Sequence, residues 1–408
     1  MNSDDLRKRA IKAKEKKAEY GADLDLEEYS YSSAPGQIES LDEISESDRD
    51  LVKDVGFNPS QDGVSGSFLQ FDNEGIFADV LLKQEGLEIL PITEALSKYD
   101  WLQDYLWNAV SVDTDKYTAR SEITDYNGYF IRAKAGACIQ MPVQSCLVMK
   151  RNQSVQNVHN IVIAEEGSEL HIITGCATPS GVEQSLHLGI SEFYVKKKAR
   201  MTFTMVHRWS EMMDVRPRSA TVVEEGGTHI SSYAILSPVK SIQTYPEVHL
   251  VGMNAKADHY SVVYGSQSSS YDIGSLLFLE APRTHGKVVS RSIATDASEV
   301  ITRGDLVGLS GETKARLECD GLLISNEASI RAIPMLHAKA EGAELSHEAT
   351  VGKVGADQLT YLMSRGLNEE EAASLIIRGF VKLKVPDLPP ALQSSIDEAI
   401  KMSLEGGM

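Results

Sequence analysis

Gly167-Ser168-Glu169-Leu170-His171-Ile172 and Gly342-Ala343-Glu344-Leu345-Ser346-His347 share one order of residues: a turn glycine, small or polar positions, then an apolar side chain that starts an alternation. Taking Leu170, Met201, Ile230, Tyr260, Val289, Ile301, Leu317, Ile330 and Leu345 as the first inward residue of successive copies gives intervals of 31, 29, 30, 29, 12, 16, 13 and 15 residues. These cluster near one value and its half. Short β-branched runs at a fixed period, each too small to bury its own apolar face, are the pattern of a solenoid whose coils cover one another. The expected fold is mainly β, a parallel β-helix over 126–353, with a β-sandwich as the competing arrangement.

Outward from this core the pattern becomes helical. Residues 3–20 are rich in Lys, Glu and Ala with Gly21 as a stop, and 75–110 hold apolar clusters around Trp101, Leu102, Tyr105, Leu106 and Trp107. We therefore expect a mainly helical N-terminal unit over 1–125. A C-terminal helical unit is expected over 354–408, with a helix from Ala356 to Ser364, a second opened by Asn368 and Glu371 in capping-box spacing, and an amphipathic segment from Ala391 to Leu404.

Asp and Glu number 59 against 40 Lys and Arg, a formal net charge of −19, which argues against nucleic acid and anionic membranes as partners. The start lacks a secretory pattern and no apolar run reaches the roughly 20 residues that span a bilayer, so a cytoplasmic protein is expected. Phosphate-loop, GxGxxG, HExxH and GxSxG motifs are absent. Four scattered cysteines, Cys138, Cys146, Cys176 and Cys319, form no CxxC pair. The groups left for chemistry are soft and borderline ligands, Cys319, His347-Glu348 and, upstream, Cys176. Cys319 follows Leu317 by two residues and His347 follows Leu345 by two, so the repeat phase stacks them on neighbouring rungs, while alternation turns Glu348 to the other face. The remaining histidines, His207, His229 and His259 among them, read as core or surface residues.

Cys319-Asp320-Gly321-Leu322-Leu323-Ile324-Ser325, Ser346-His347-Glu348-Ala349-Thr350 and Tyr361-Leu362-Met363-Ser364-Arg365-Gly366 closely resemble the C-terminal signature of the SufB/SufD family of iron–sulfur assembly scaffolds. Weaker similarity runs through Gly175-Cys176-Ala177-Thr178-Pro179. The resemblance implies a right-handed β-helix with helical terminal domains. It also implies a non-enzymatic scaffold for a transient 4Fe-4S cluster that works with a separate SufC-like ABC ATPase, a sulfur donor and acceptor proteins. Cluster ligands are then Cys319, Glu348 and His347, with Cys176 as a sulfur relay. ATPase docking falls on the C-terminal helices at Leu359, Leu362, Leu375, Ile376 and Phe380. Because one chain carries ligands that the family divides between SufB and SufD, the resemblance implies a homodimer. Two departures are Ser346, where SufB members commonly have Glu, and the missing SufB-type N-terminal cysteine motifs. A structural adaptor that recruits the ATPase without holding metal is the alternative, and a carbohydrate-active β-helix enzyme lacks the paired carboxylates it needs.

Overall fold

The computed structural model describes residues 3–31, 38–81, 84–353 and 355–381. Two long sheets face each other along a parallel β-solenoid of about eight turns, with helices at the termini. The first sheet runs, in spatial order, from Glu74–Val80 and Gly66–Phe71 through Val143–Val148, Glu169–Ala177, Arg200–Arg208, Thr228–Ile235, Lys256–Gly265, His285–Ala294 and Lys314–Leu323 to Glu344–Lys353. Its first pair is antiparallel and all later pairs are parallel. Successive inner residues Leu170, Met201, His229, Ala257, Gly286, Ala315 and Leu345 stand in register. Parallel pairing without slippage puts the same face of every coil into the same core, and one continuous cluster of buried side chains runs from Phe68 to Cys319.

The register corrects the phase taken from sequence at Ile230, Tyr260 and Val289. These residues point outward, into a second cluster that Ile377 and Phe380 partly cover. In those strands the inner positions include polar residues such as His259, Ser261 and Ser290, whereas Tyr260, Val262 and Val289 stand on the outer face, so reading the more apolar alternation as the inner face picks the wrong side. Ile301 is likewise outside, because its neighbour Val300 is the fully buried core residue.

The sheets also reach back into the stretch expected to be helical. Gly66–Phe71 pairs with Val143–Val148, and Leu87–Pro91 with Tyr129–Ala133, and these strands cover the first coil. Helices α1 (Ser3–Ala13), α2 (Glu46–Lys53), α3 (Ile92–Lys98) and α4 (Lys116–Ile123) pack outside them. At the other end α5 (Ala356–Ser364) precedes α6 (Glu369–Val381). The junction carries the capping box read from sequence: Asn368 Oδ1 accepts from the Glu371 amide, and Glu371 Oε2 from the Asn368 amide, both at 2.8 Å. The segment 391–404 lies outside the described residues.

One buried carboxylate joins the N-terminal unit to the solenoid. Glu192, with no exposed surface, accepts from the amides of Trp107, Asn108, Ala109 and Val110 at 2.6, 2.8, 2.7 and 3.2 Å, and lies 2.9 Å from His159 Nε2. Trp107 takes φ +54°, rare for so bulky a residue, and this curls the chain so that consecutive amides face one anion. The Trp107 indole N–H meanwhile donates to Glu122 at 2.7 Å. Replacing Glu192 with Ala leaves those buried donors without an acceptor. The expected loss is about 3–5 kcal/mol of unfolding free energy, measured by denaturant titration; an unchanged midpoint would remove Glu192 from this anchoring role.

Candidate functional site

The last two strands of the first sheet hold the residues singled out from sequence. Lys314–Leu323 pairs with Glu344–Lys353 so that Leu317 faces His347, Glu318 faces Glu348, and Cys319 faces Ala349. Cys319 and His347 therefore share the inner face but sit diagonally, offset by two residues, and the expectation of direct stacking is corrected. The physical reason is that this coil takes 30 residues, pairing Ala315 with Leu345, whereas the spacing from Leu317 to Leu345 is 28. Strand separation of about 4.8 Å and a two-residue rise of about 6.6 Å put the two Cα atoms about 8 Å apart. One small group can bridge a thiol and an imidazole at that separation.

Their surroundings differ. Cys319 is 2% exposed and closes the end of the core cluster beside Leu317. Burial, with a lesser push from Asp320, raises its thiol to about 11. His347 lies on the last strand, and its enclosed Nε2 has no hydrogen-bond partner. Glu348 is on the opposite face, two-thirds exposed, and accepts from Arg316 at 2.6 Å; Arg316 also holds Glu318 at 2.8 Å. Among the described residues, no three His, Cys, Asp or Glu side chains of the chain converge as a metal site.

Both sheets end here. Glu344–Lys353 and Ser329–Ala338 are the final strands of their sheets, and each leaves one row of backbone donors and acceptors unpaired within the described residues. Leu336 and Val351 are about two-fifths exposed. Of the C-terminal residues expected to dock a partner, Leu375 is half exposed, Leu359, Leu362 and Ile376 are half-buried, and Phe380 turns inward. Its carbonyl accepts from Arg291 at 2.9 Å and its ring joins the outer cluster. Tyr361 and Met363 on α5 are exposed as well.

Cys176 lies far from this end, fully buried on the inner face, where desolvation raises its thiol strongly. Between it and Cys319 the structure reveals polar groups that the sequence did not single out. Cys176 faces His207, and His207 Nδ1 lies 3.1 Å from the Tyr233 hydroxyl. Tyr233 borders an internal cavity of about 80 Å3 between the sheets, whose walls include His229, His259 and Ser261. Ser261 donates to Ser290 at 2.9 Å, and Ser290 faces Cys319. The sequence signal for this line was polar residues at inward positions of neighbouring strands, visible only once the register is known.

Against this geometry, residues 147–380 match the family model described as SUF system FeS cluster assembly, SufBD core domain. A parallel β-solenoid carrying that core defines the SufBD class of iron–sulfur assembly proteins. An iron–sulfur cluster assembly SufBD family protein of Methanothermobacter thermautotrophicus is 44% identical over 98% of this chain and 99% of its own length. One from Archaeoglobus fulgidus is 44% identical over 87% of this chain and 95% of its own, and one from Pyrococcus horikoshii 32% over 91% and 84%. The chain belongs to the SufBD family. None of the described helices is long and apolar enough to cross a membrane.

The interior makes acid the vulnerable direction for this fold. Burial lowers His187 to about 3 and His259 to about 4, and it also lowers His171, His207 and His229. His249 alone is raised, its burial outweighed by Glu247 and Glu280. A histidine whose folded value lies below its unfolded value of about 6.5 binds its proton more readily in the unfolded chain, so its contribution is complete above pH 6.5 and is lost as pH falls toward 4. Each such proton changes stability by about 1.4 kcal/mol per pH unit. Denaturant titrations between pH 7 and 5 are expected to show a loss steeper than one histidine can give; a flat profile would contradict neutral burial.

Proposed function

We propose that this SufBD protein is a scaffold on which an iron–sulfur cluster is built at the open end of the solenoid and then handed on. The observation that carries the proposal is the diagonal pair Cys319 and His347 on the inner face of the terminal coils, with His347 Nε2 unpartnered beside uncovered strand edges. Thiolate and imidazole suit iron, and a set short of four thiolates exchanges more readily, which transfer requires. Among the described residues one chain offers too few ligands on that face. A second copy joined across the strand ends completes the set and pairs the free backbone edges, which supports the homodimer.

Glu348 enters as an exchangeable ligand. It reaches the inner side only if the terminal strand turns and gives up Arg316, so its use couples cluster binding to movement of that strand. The separate SufC-like ABC ATPase is assigned to the exposed side of α5 and α6, around Tyr361, Met363 and Leu375, where its closure on ATP is one source of that movement. Cys176 receives sulfur from a donor, and the polar line through His207, Tyr233, Ser261 and Ser290 leads from it to Cys319. Acceptor proteins take the 4Fe-4S cluster from the same end.

Anaerobic reconstitution with ferrous iron and sulfide tests the site. Wild type is expected to hold stoichiometric cluster, Cys319→Ser to lose it while keeping the wild-type unfolding midpoint, and His347→Ala to release it faster to a chelator. Retained cluster in folded Cys319→Ser would sink the assignment. No cluster in wild type with the ATPase present, combined with loss of ATPase binding on removal of 356–408, would leave the adaptor role instead.

A further inference from the structure

On the outer face of the terminal coils two columns of side chains stand in register: Lys287, Arg316 and Ser346, and beside them Val289, Glu318 and Glu348. Glu318 and Glu348 are thus direct cross-strand neighbours of like charge, an arrangement that costs stability unless a cation answers both. Arg316 does so with its fork: Nε lies 2.8 Å from Glu318 and Nη2 2.6 Å from Glu348. The two carboxylates are not equally held. Lys287 also reaches Glu318, at 3.4 Å, whereas Arg316 is the one ion-pair partner of Glu348 among the described residues.

This asymmetry decides which carboxylate is released when the guanidinium is withdrawn. Glu318 keeps Lys287, and Glu348 is left with the repulsion of Glu318 alone. The strand that carries Glu348 is the last of its sheet, paired on one side only within the described residues, so it gives way more easily than an inner rung. On the same strand Ala349 faces Cys319 and His347 stands on the diagonal to it, so a turn there carries the freed carboxylate toward the metal that Cys319 would hold. The guanidinium can also be diverted without being removed. Its direct cross-strand neighbour is Ser346, which offers no charge, and a carboxylate at that position would compete with Glu348 for it.

We infer that Arg316 is a positioning residue that holds Glu348 on the outer face and so sets how readily that carboxylate reaches iron. The inference rests on the assembly role proposed above and deepens it by naming what regulates access of one ligand. Arg316 touches neither metal nor sulfur; it competes with the metal for Glu348. Both partners are largely exposed, so the competition is modest, about threefold in metal affinity, and it fades as salt screens the pair.

Cobalt(II) alone, titrated anaerobically into the full chain and followed by the thiolate-to-cobalt absorption that Cys319→Ser removes, reads the affinity. Arg316→Gln deletes the guanidinium and Ser346→Glu diverts it. Each is expected to tighten cobalt about threefold, and neither to do so in a Glu348→Gln background. Amide hydrogen exchange of the metal-free chain gives a second reading, with Glu344–Lys353 expected to exchange faster in Arg316→Gln. Unchanged affinity in both variants, or tightening that persists in Glu348→Gln, would overturn the inference, the latter because a general change of charge then suffices. The same samples separate the two proposals. A Cys319-dependent cobalt site indifferent to Arg316 rejects the hold on Glu348 and leaves the scaffold standing, whereas a strand that loosens in a chain binding no cobalt at Cys319 does the reverse.

Discussion

In-register parallel hydrogen bonding between successive coils is the constraint on which the rest of the molecule depends. Once Leu170 faces Met201 and Met201 faces His229, every later inner residue is assigned its neighbours, because a slip of one position would expose the core face of a whole strand. The same bonding decides that the described coils end in open edges. A solenoid has no internal means of closing its last coil, so Ser329–Ala338 and Glu344–Lys353 need a cap or a partner. At the first coil, antiparallel strands and α1–α4 serve as the cap. At the last coil α6 packs on the outer face of the first sheet through Ile377 and Phe380, and the final strand edges stay unpaired within the described residues.

Two kinds of polar burial follow from this architecture. Glu192 is surrounded by donors and behaves as a fixed anchor between layers. His187, His207, His229 and His259 are different: they lie where no carboxylate of the described residues answers them, so desolvation favours their neutral form and they act as hydrogen-bonding groups. A β-helix interior is narrow enough that such groups on successive rungs become neighbours. Polar side chains that look unrelated in the chain, such as His207 and Tyr233 or Ser261 and Ser290, thereby form contacts across one rung.

Much of the architecture was legible. The glycine-led turns before Leu170 and Leu345 and the near-constant interval announced a solenoid, and Asn368 with Glu371 announced a helix start that the structure shows as a reciprocal cap. The face of individual strands was not legible where the outer face is apolar and the inner one carries polar residues such as His259, Ser261 and Ser290: Ile230, Tyr260 and Val289 satisfy the outer cluster as well as an inner one would be satisfied. Strands Gly66–Phe71 and Leu87–Pro91 were hidden for a related reason, since their partners lie in coils many residues later.

The sequence by itself determined the repeat, the absence of the common nucleotide and hydrolase motifs, and the identities of Cys319, His347, Glu348 and Cys176, because these depend on residue type and spacing along one chain. Only the tertiary structure decided which of them share a surface. Coils of this solenoid differ in length by a few residues, and each difference shifts the facing partner: 30 residues in the last coil, not 28, put Leu317 opposite His347, moved Cys319 to the diagonal, and set Glu348 against Arg316 on the outside. Register is a property of the pairing between strands, and local sequence does not contain it.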